Sequence, residues 1–178
     1  MPVRFSAVVA PLLLLGYSIL RLIGKAGGNY QHGFAWNLGH VFFLGAVVLL
    51  AVLAAGLRDM TPQRLRTFAT VTFTASLVGT LDLIWMTLDD LFSGMRRDLP
   101  FDGTAATILP ALLEFGLVTL LAVLATVRPR QLPWWSPVVV LAGFLSVGAS
   151  LDLLPFGALV VFGGLSPLLS QRRILTRV

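Results

Sequence analysis

The sequence predicts an all-α protein, a polytopic bundle of transmembrane helices that forms one integral membrane domain over residues 1–178. Three observations predict this fold class. Of the 178 residues, 57% are hydrophobic and only 12% are charged, whereas soluble domains average about 45–50% apolar and about 25% charged residues. The mean hydropathy is +0.89. The apolar residues also form runs of about 20 residues, the length of helix that crosses a bilayer.

The same numbers exclude two other classes of protein. A soluble globular domain needs more charged side chains to cover its surface in water. A disordered chain needs low hydrophobicity together with a high net charge, but the formal net charge here is only +5. Because five or six spans would use nearly the whole length, we expect any chemistry to lie inside the bundle.

Four apolar segments are each long enough to span a bilayer. They run from about Phe5 to Gly24, Phe34 to Leu57, Thr67 to Phe92 and Thr104 to Val127. We interpret the first as a retained span, because no small-residue cleavage site follows it convincingly. The region from Trp134 to Ser170 has two interpretations. It forms either one long helix or a short hairpin that turns near Asp152 and Pro155.

An internal repeat of about 70 residues favours the single long helix. Residues 50–54 read Leu-Ala-Val-Leu-Ala, and so do residues 121–125. Residues 78–83 also resemble residues 147–153, with one residue inserted. The sequence therefore predicts two tandem helical hairpins and five spans, in which the fifth helix runs from about Ser136 to Phe162 with Asp152 near its middle.

The distribution of basic residues favours the alternative of six spans. Five spans divide the 13 basic residues into six and seven, which is no bias. Six spans place nine of them on the side of the N-terminus and four on the other side, as the positive-inside rule expects. Clusters of arginine between apolar runs are typical of lipid-headgroup anchors, so we expect a bilayer and no nucleic acid as partner. Lys25 is the only lysine in an arginine-rich chain, a composition that favours a bacterial cell membrane.

Three acids are predicted at membrane depth on three different helices: Asp82, Glu114 and Asp152. An ionisable group in hydrocarbon is costly unless it faces the bundle interior or a partner, so each is a candidate catalytic residue. We call the side that carries Arg58 and Arg128 side A, and the opposite side B. The acids lie in the middle or in the side B half, and the sequence predicts a polar pocket that opens toward side B.

Polar and aromatic side chains in the same half are candidate substrate-binding residues. They are Tyr17, Arg21, Trp36, Asn37, His40, Trp85, Phe115 and Phe156. Two of them have a structural interpretation as well: Arg21 as the partner of an acid, and His40 as a histidine packed in the bundle. Pro110 and Pro155 lie close to the acids and are interpreted as helix kinks that shape a cavity.

The sequence predicts no metal and no cofactor. It has no cysteine and only two histidines, and it has neither Glu-x-x-His nor His-Glu-x-x-His spacing. A carboxyl group in an apolar pocket favours its neutral form. Such an acid can protonate an alkene or an epoxide, and aromatic rings can stabilise the resulting cation.

In these features the chain resembles the small membrane-bound terpene cyclases, which include fungal meroterpenoid cyclases and bacterial enzymes that close prenylated indoles. The shared features are the size, the all-helical membrane bundle and the acids on separate helices. The resemblance implies metal-free, proton-initiated cyclisation of a lipophilic farnesyl-type substrate. It also implies that the paired acids of the family correspond to Glu114 and to one of Asp82 and Asp152.

Two other functions fit the same residues. Buried carboxylates also serve as proton relays, and a tandem hairpin repeat is common in transporters. A proton-coupled transporter of 178 residues would form a homo-oligomer. A non-catalytic lipid-binding protein, or an assembly subunit of a larger complex, would use the pocket without turnover. We therefore favour an enzyme and keep both alternatives.

Overall fold

A computed structural model describes residues 2–28, 33–92, 105–127 and 131–170 of the chain. This part is all-helical, as predicted, and it contains no strand. The helices are α1 (Pro2–Ala26), α2 (Phe34–Met60), α3 (Arg66–Leu91), α4 (Ala105–Thr126), α5 (Trp135–Ala149), α6 (Leu154–Leu165) and α7 (Pro167–Ser170). Single 3-10 turns at Gln63–Leu65 and Leu151–Leu153 precede α3 and α6.

Within the described residues, five stretches are long and apolar enough to cross a membrane. They are Pro2–Ala26, Phe34–Met60, Gln63–Leu91, Ile108–Thr126 and Leu151–Ser170. The first four correspond to the predicted segments. The fifth differs from the predicted helix, because α5 is a separate apolar helix of 15 residues.

The prediction of one continuous helix from Ser136 to Phe162 is wrong, and the hairpin alternative is right. The backbone of Ser150 is extended, with φ −160° and ψ 130°, and it ends α5. The Ser150 hydroxyl then accepts a hydrogen bond of 3.2 Å from the Asp152 N–H. Pro155 lies in the first turn of α6, where the missing N–H of proline costs nothing. Asp152 therefore lies in a turn and not in mid-helix, and Pro155 starts a helix instead of bending one.

The backbones of α5 and α6 pack in direct contact. A Cβ atom at Gly143 would lie 2.9 Å from the carbonyl oxygen of Gly157, so only a residue without a side chain fits there. Near the other end of the hairpin, the Ser136 hydroxyl donates a 2.6 Å hydrogen bond to the Gly164 carbonyl. Small residues and hydroxyl bonds of this kind hold helices together where the hydrophobic effect is weak, as in a bilayer.

Five of the described helices contact one another in a ring around the centre of the bundle, and α3 packs against two of them and reaches the centre through Leu83. Helix α1 contacts α2 and α6, α2 contacts α4, α4 contacts α5, and α5 contacts α6. Helix α3 contacts α2 and α4. The hairpin of α5 and α6 thus closes the ring that α1, α2 and α4 begin.

Two contacts show which helix ends lie together. Lys25, in the last turn of α1, pairs with Asp152 in the α5–α6 turn. Trp36, in the first turn of α2, bonds to the carbonyl of Asp90 near the end of α3. These residues mark the side B end of the bundle. The start of α1 and the end of α6 therefore lie together at the side A end, which Arg58 also marks.

The side A half is a solid core of leucines. The side chains that fill it are completely buried: Leu53, Leu57, Leu117, Leu120, Leu121 and Leu124. They come from α2 and α4, whose contact forms the middle of this half. Helix α3 packs on α4 through Gly79, which lies directly against the α4 backbone at Leu109 and Leu113.

We predict that Gly79→Ala destabilises the bundle, because the new Cβ would lie 2.5 Å from the Leu113 nitrogen and 2.6 Å from the Leu109 oxygen. Both are backbone atoms, so the helices must separate, and overpacking of this kind costs about 1–3 kcal/mol. The measurement is the free energy of unfolding in detergent. Gly163→Ala is the matched control, since no atom lies within 4 Å of its Cβ position. Equal stability of the two variants would contradict the packing.

Candidate functional site

A cavity of about 700 Å³ lies in the side B half of the bundle. This volume is within the range of about 300–1,000 Å³ for sites that bind small molecules. All six long helices contribute to its wall, and the residues are Leu14, Tyr17, Phe43, Val47, Leu50, Leu83, Pro110, Ala111, Leu113, Glu114, Phe144, Val147, Gly148, Ala149, Ser150, Leu151, Leu154, Gly157, Ala158 and Val161. The cavity extends from Leu50 and Val161 in mid-bundle to the α5–α6 turn at side B.

Among the described residues, the wall of the cavity is mostly aliphatic and contains one carboxyl group, that of Glu114. Glu114 lies on α4, next to the buried Leu113 and one turn after Pro110. The other polar side chains of the wall are the phenol of Tyr17 and the hydroxyl of Ser150. A polar pocket was predicted in this half; the structure places a largely apolar cavity there, with a single acid.

Among the residues that the structure describes, three aromatic rings line the cavity, and the sequence identified only one of them, Tyr17. The other two are Phe43 and Phe144. The Tyr17 and Phe43 rings lie 5.0 Å apart between centroids. Phe43 follows His40 by three residues on the same face of α2, a spacing that could have identified it. Phe144 lies inside α5, where no ionisable residue nearby in sequence marked the face that lines the cavity.

The structure separates the three acids that the sequence places together. Asp82 lies in the interior of α3, is partly buried and does not line the cavity. Asp152 lies in the turn at side B, where its two carboxylate oxygens are 2.8 and 3.1 Å from the Lys25 ammonium. Both side chains of this ion pair are 52% exposed. Only Glu114 of the three contacts the cavity.

His40 is packed inside a small cluster next to the cavity, and it is 3% exposed. Its Nδ1 lies 2.8 Å from the Trp36 carbonyl oxygen, so Nδ1 carries the proton and donates. Its Nε2 lies 3.4 Å from an oxygen of Asp90. The edge of the Tyr17 ring packs on the imidazole at 5.6 Å. His40 therefore joins α1, α2 and α3 at side B and does not reach the cavity.

The remaining predicted substrate-binding residues lie outside the cavity wall. Asn37 is exposed, Arg21 is half-buried one turn after Tyr17, and Trp85 is half-buried on α3. Phe115 and Phe156 are 54% and 66% exposed on the outer surface. Each of these phenylalanines is one residue away from a residue of the wall, which turns it about 100° around its helix. An aromatic side chain in the same half as the acids therefore does not have to point toward the cavity.

Within the residues that the structure describes, no three His, Asp or Glu side chains are grouped so that they could hold a metal ion. Comparisons of the chain with known protein families, with curated proteins and with solved structures found no match.

Proposed function

We propose that the chain is an integral membrane protein whose central cavity receives a lipophilic chain molecule. The apolar cavity of about 700 Å³, with one carboxyl group in its wall, is the observation that carries the proposal. Large apolar side chains on the outer surface support the membrane location, among them Phe5, Val71, Leu81 and Phe156. A protein in water rarely exposes so much apolar surface.

The charges support an orientation with side A in the cytoplasm. Arg4, Arg58, Arg64 and Arg66 lie at side A, and the described chain also ends there at Ser170. The arginines that follow α4 and α7 in the sequence bring the number of basic residues expected at side A to nine of 13. The positive-inside rule assigns this side to the cytoplasm.

We predict that Gln63→Cys is labelled from the cytoplasmic side only, and Leu153→Cys from the opposite side only. Both positions are exposed, and the chain has no other cysteine. The measurement is labelling of intact cells and of inverted vesicles with a maleimide that does not cross membranes. Labelling of both positions from the same side would contradict the hairpin topology of α5 and α6.

The chemistry that we propose for this cavity is proton-initiated cyclisation of a farnesyl-type chain, with Glu114 as the general acid. The Glu114 carboxyl donates its proton to an alkene carbon, and the π electrons form the new C–H bond. The tertiary carbocation left behind is attacked by the next alkene, which forms the ring bond. Loss of a proton from a neighbouring carbon to the Glu114 carboxylate gives the product and restores the acid. The product is an isomer of the substrate, and no metal or redox partner is required.

The surroundings of Glu114 support these steps. An apolar wall favours the neutral carboxyl form over the carboxylate. The rings of Tyr17, Phe43 and Phe144 line the same cavity, and aromatic faces stabilise a nearby cation. The leucine core closes the cavity from side A, which limits the access of water that would quench a cation. The resemblance to membrane-bound terpene cyclases that the sequence suggests, in size and in acids on separate helices, points to the same chemistry.

A second function, lipid binding without turnover, is supported by the single acid in the wall. Glu114 would then anchor a polar group of the ligand by a hydrogen bond. A proton relay is less well supported, because Asp82, Glu114 and Asp152 lie in three separate places among the described residues.

We predict that Glu114→Gln abolishes cyclisation and preserves ligand binding, because the amide keeps the shape of the acid but its N–H protons are far too weakly acidic to be transferred to an alkene. A positioned general acid contributes about 10²–10⁴-fold to rate, so the loss should be of that size. The measurement is mass spectrometry of membranes supplied with farnesyl-bearing indoles, quinones and their epoxides. Asp82→Asn is the matched control, since Asp82 does not line the cavity, and it should retain activity.

Two results would contradict the cyclase. Turnover that survives in Glu114→Gln but is lost in Asp82→Asn would identify Asp82, and not Glu114, as the general acid. If folded protein binds the farnesyl chain but forms no product of unchanged mass in any assay, lipid binding without turnover would be favoured.

A further inference from the structure

We propose that the ligand of this cavity carries an anionic group, a carboxylate or a phosphate, which Lys25 and Arg21 bind at side B in place of Asp152. The proposal rests on the proposed function in one respect, that an apolar chain occupies the cavity. It adds the class of the ligand: an amphiphile whose chain lies among the six helices and whose charged end lies at the α5–α6 turn.

One face of α1 connects the cavity to the two cations. Leu14 and Tyr17 line the cavity, and Arg21 and Lys25 follow at spacings of four residues. Residues spaced by three and four positions share one face of a helix. The cations therefore stand one and two turns beyond Tyr17, toward the side B surface. A ligand that enters the cavity along this face of α1 passes both Arg21 and Lys25.

The opposite wall at side B is the α5–α6 turn. Ser150 and Leu151 line the cavity, and Asp152 is the next residue. Its carboxylate reaches across to the Lys25 ammonium with both oxygens, at 2.8 and 3.1 Å. Arg21 contributes a second, weaker attraction to the same carboxylate. Asp152 thus shows the place and the chemistry of an anionic group bound beside the cavity.

The ion pair is easily exchanged. Both of its side chains are 52% exposed, and ion pairs in contact with water contribute little to stability. A carboxylate or phosphate on an incoming ligand can therefore replace Asp152 at Lys25 with little loss. The replacement would also release the α5–α6 turn from α1, since the Lys25–Asp152 ion pair links the turn directly to α1 at side B.

The experiment compares ligands with the same chain and different ends. Full-length protein in nanodiscs of zwitterionic lipid is titrated with farnesol, farnesoic acid, farnesyl phosphate and inorganic phosphate, and Kd is measured by calorimetry. The variants are Lys25→Gln, Asp152→Asn and Ala158→Phe. Lys25 and Asp152 are exposed, so their variants should fold. Ala158→Phe places a ring into the cavity and reports whether the chain binds there.

We expect the two anionic ligands to bind more tightly than farnesol. Lys25→Gln should weaken the binding of the anions by about two- to fivefold, the effect of one exposed ion pair, and leave farnesol unchanged. Asp152→Asn should strengthen the binding of the anions by a similar factor, because it removes the competing carboxylate. Ala158→Phe should weaken all three chain ligands, and inorganic phosphate should not bind. The ratio of farnesoic acid to farnesyl phosphate identifies which anion the site prefers.

Three results would overturn the proposal. Equal affinity for farnesol and the anions, with no effect of Lys25→Gln, would leave the cavity as a site for neutral chains and the proposed function intact. Anion binding that depends on Lys25 but not on Ala158→Phe would indicate a headgroup site on the surface. No binding of any chain ligand by the folded wild-type protein would contradict the proposed function itself.

Discussion

The cavity depends on the reversal of the chain at Ser150. Because the backbone is extended there, α5 ends after 15 residues and α6 returns toward side A. The reversal places α5 against α4 and α6 against α1, so the hairpin completes the ring around the cavity. Contact between the backbones at Gly143 and Gly157 holds the hairpin together. A continuous helix through this region would leave the ring open between α4 and α1.

Packing differs between the two halves of the bundle, and this difference positions the site. Leucines of α2 and α4 fill the side A half without exposed surface. In the side B half, the small residues Gly148, Ala149, Gly157 and Ala158 face the centre and leave it open. Glu114 lies on the cavity wall next to Leu113 of the core. Few polar groups of the described wall compete with a ligand for the Glu114 carboxyl group. In apolar surroundings, a hydrogen bond between this group and a ligand is stronger than it would be in water.

The sequence predicted an all-helical fold with long apolar helices, and it placed a candidate pocket in the half of the bundle that contains the cavity. Hydrophobic runs and the depth of polar residues are local properties of the chain. It did not predict the hairpin. Residues 147–153 resemble residues 78–83, which are helical, and the likeness obscured the Ser150 cap and the helix-starting Pro155. This error moved Asp152 into mid-helix. Phe115 was predicted as an aromatic side chain in the same half as the acids, but direction around a helix depends on packing that one sequence does not show. Glu114 was identified because an acid at that depth must face the interior.

Photo-crosslinking with a farnesyl chain that carries a diazirine tests most directly whether a lipophilic chain occupies the cavity. Peptide mapping by mass spectrometry then locates the label on the protein in nanodiscs. If a lipophilic chain occupies the cavity, we expect labels at wall residues such as Val47, Leu83 and Val147, and their loss in Ala158→Phe. Labels confined to the outer surface, around Phe115 and Phe156, and unchanged in Ala158→Phe would contradict it.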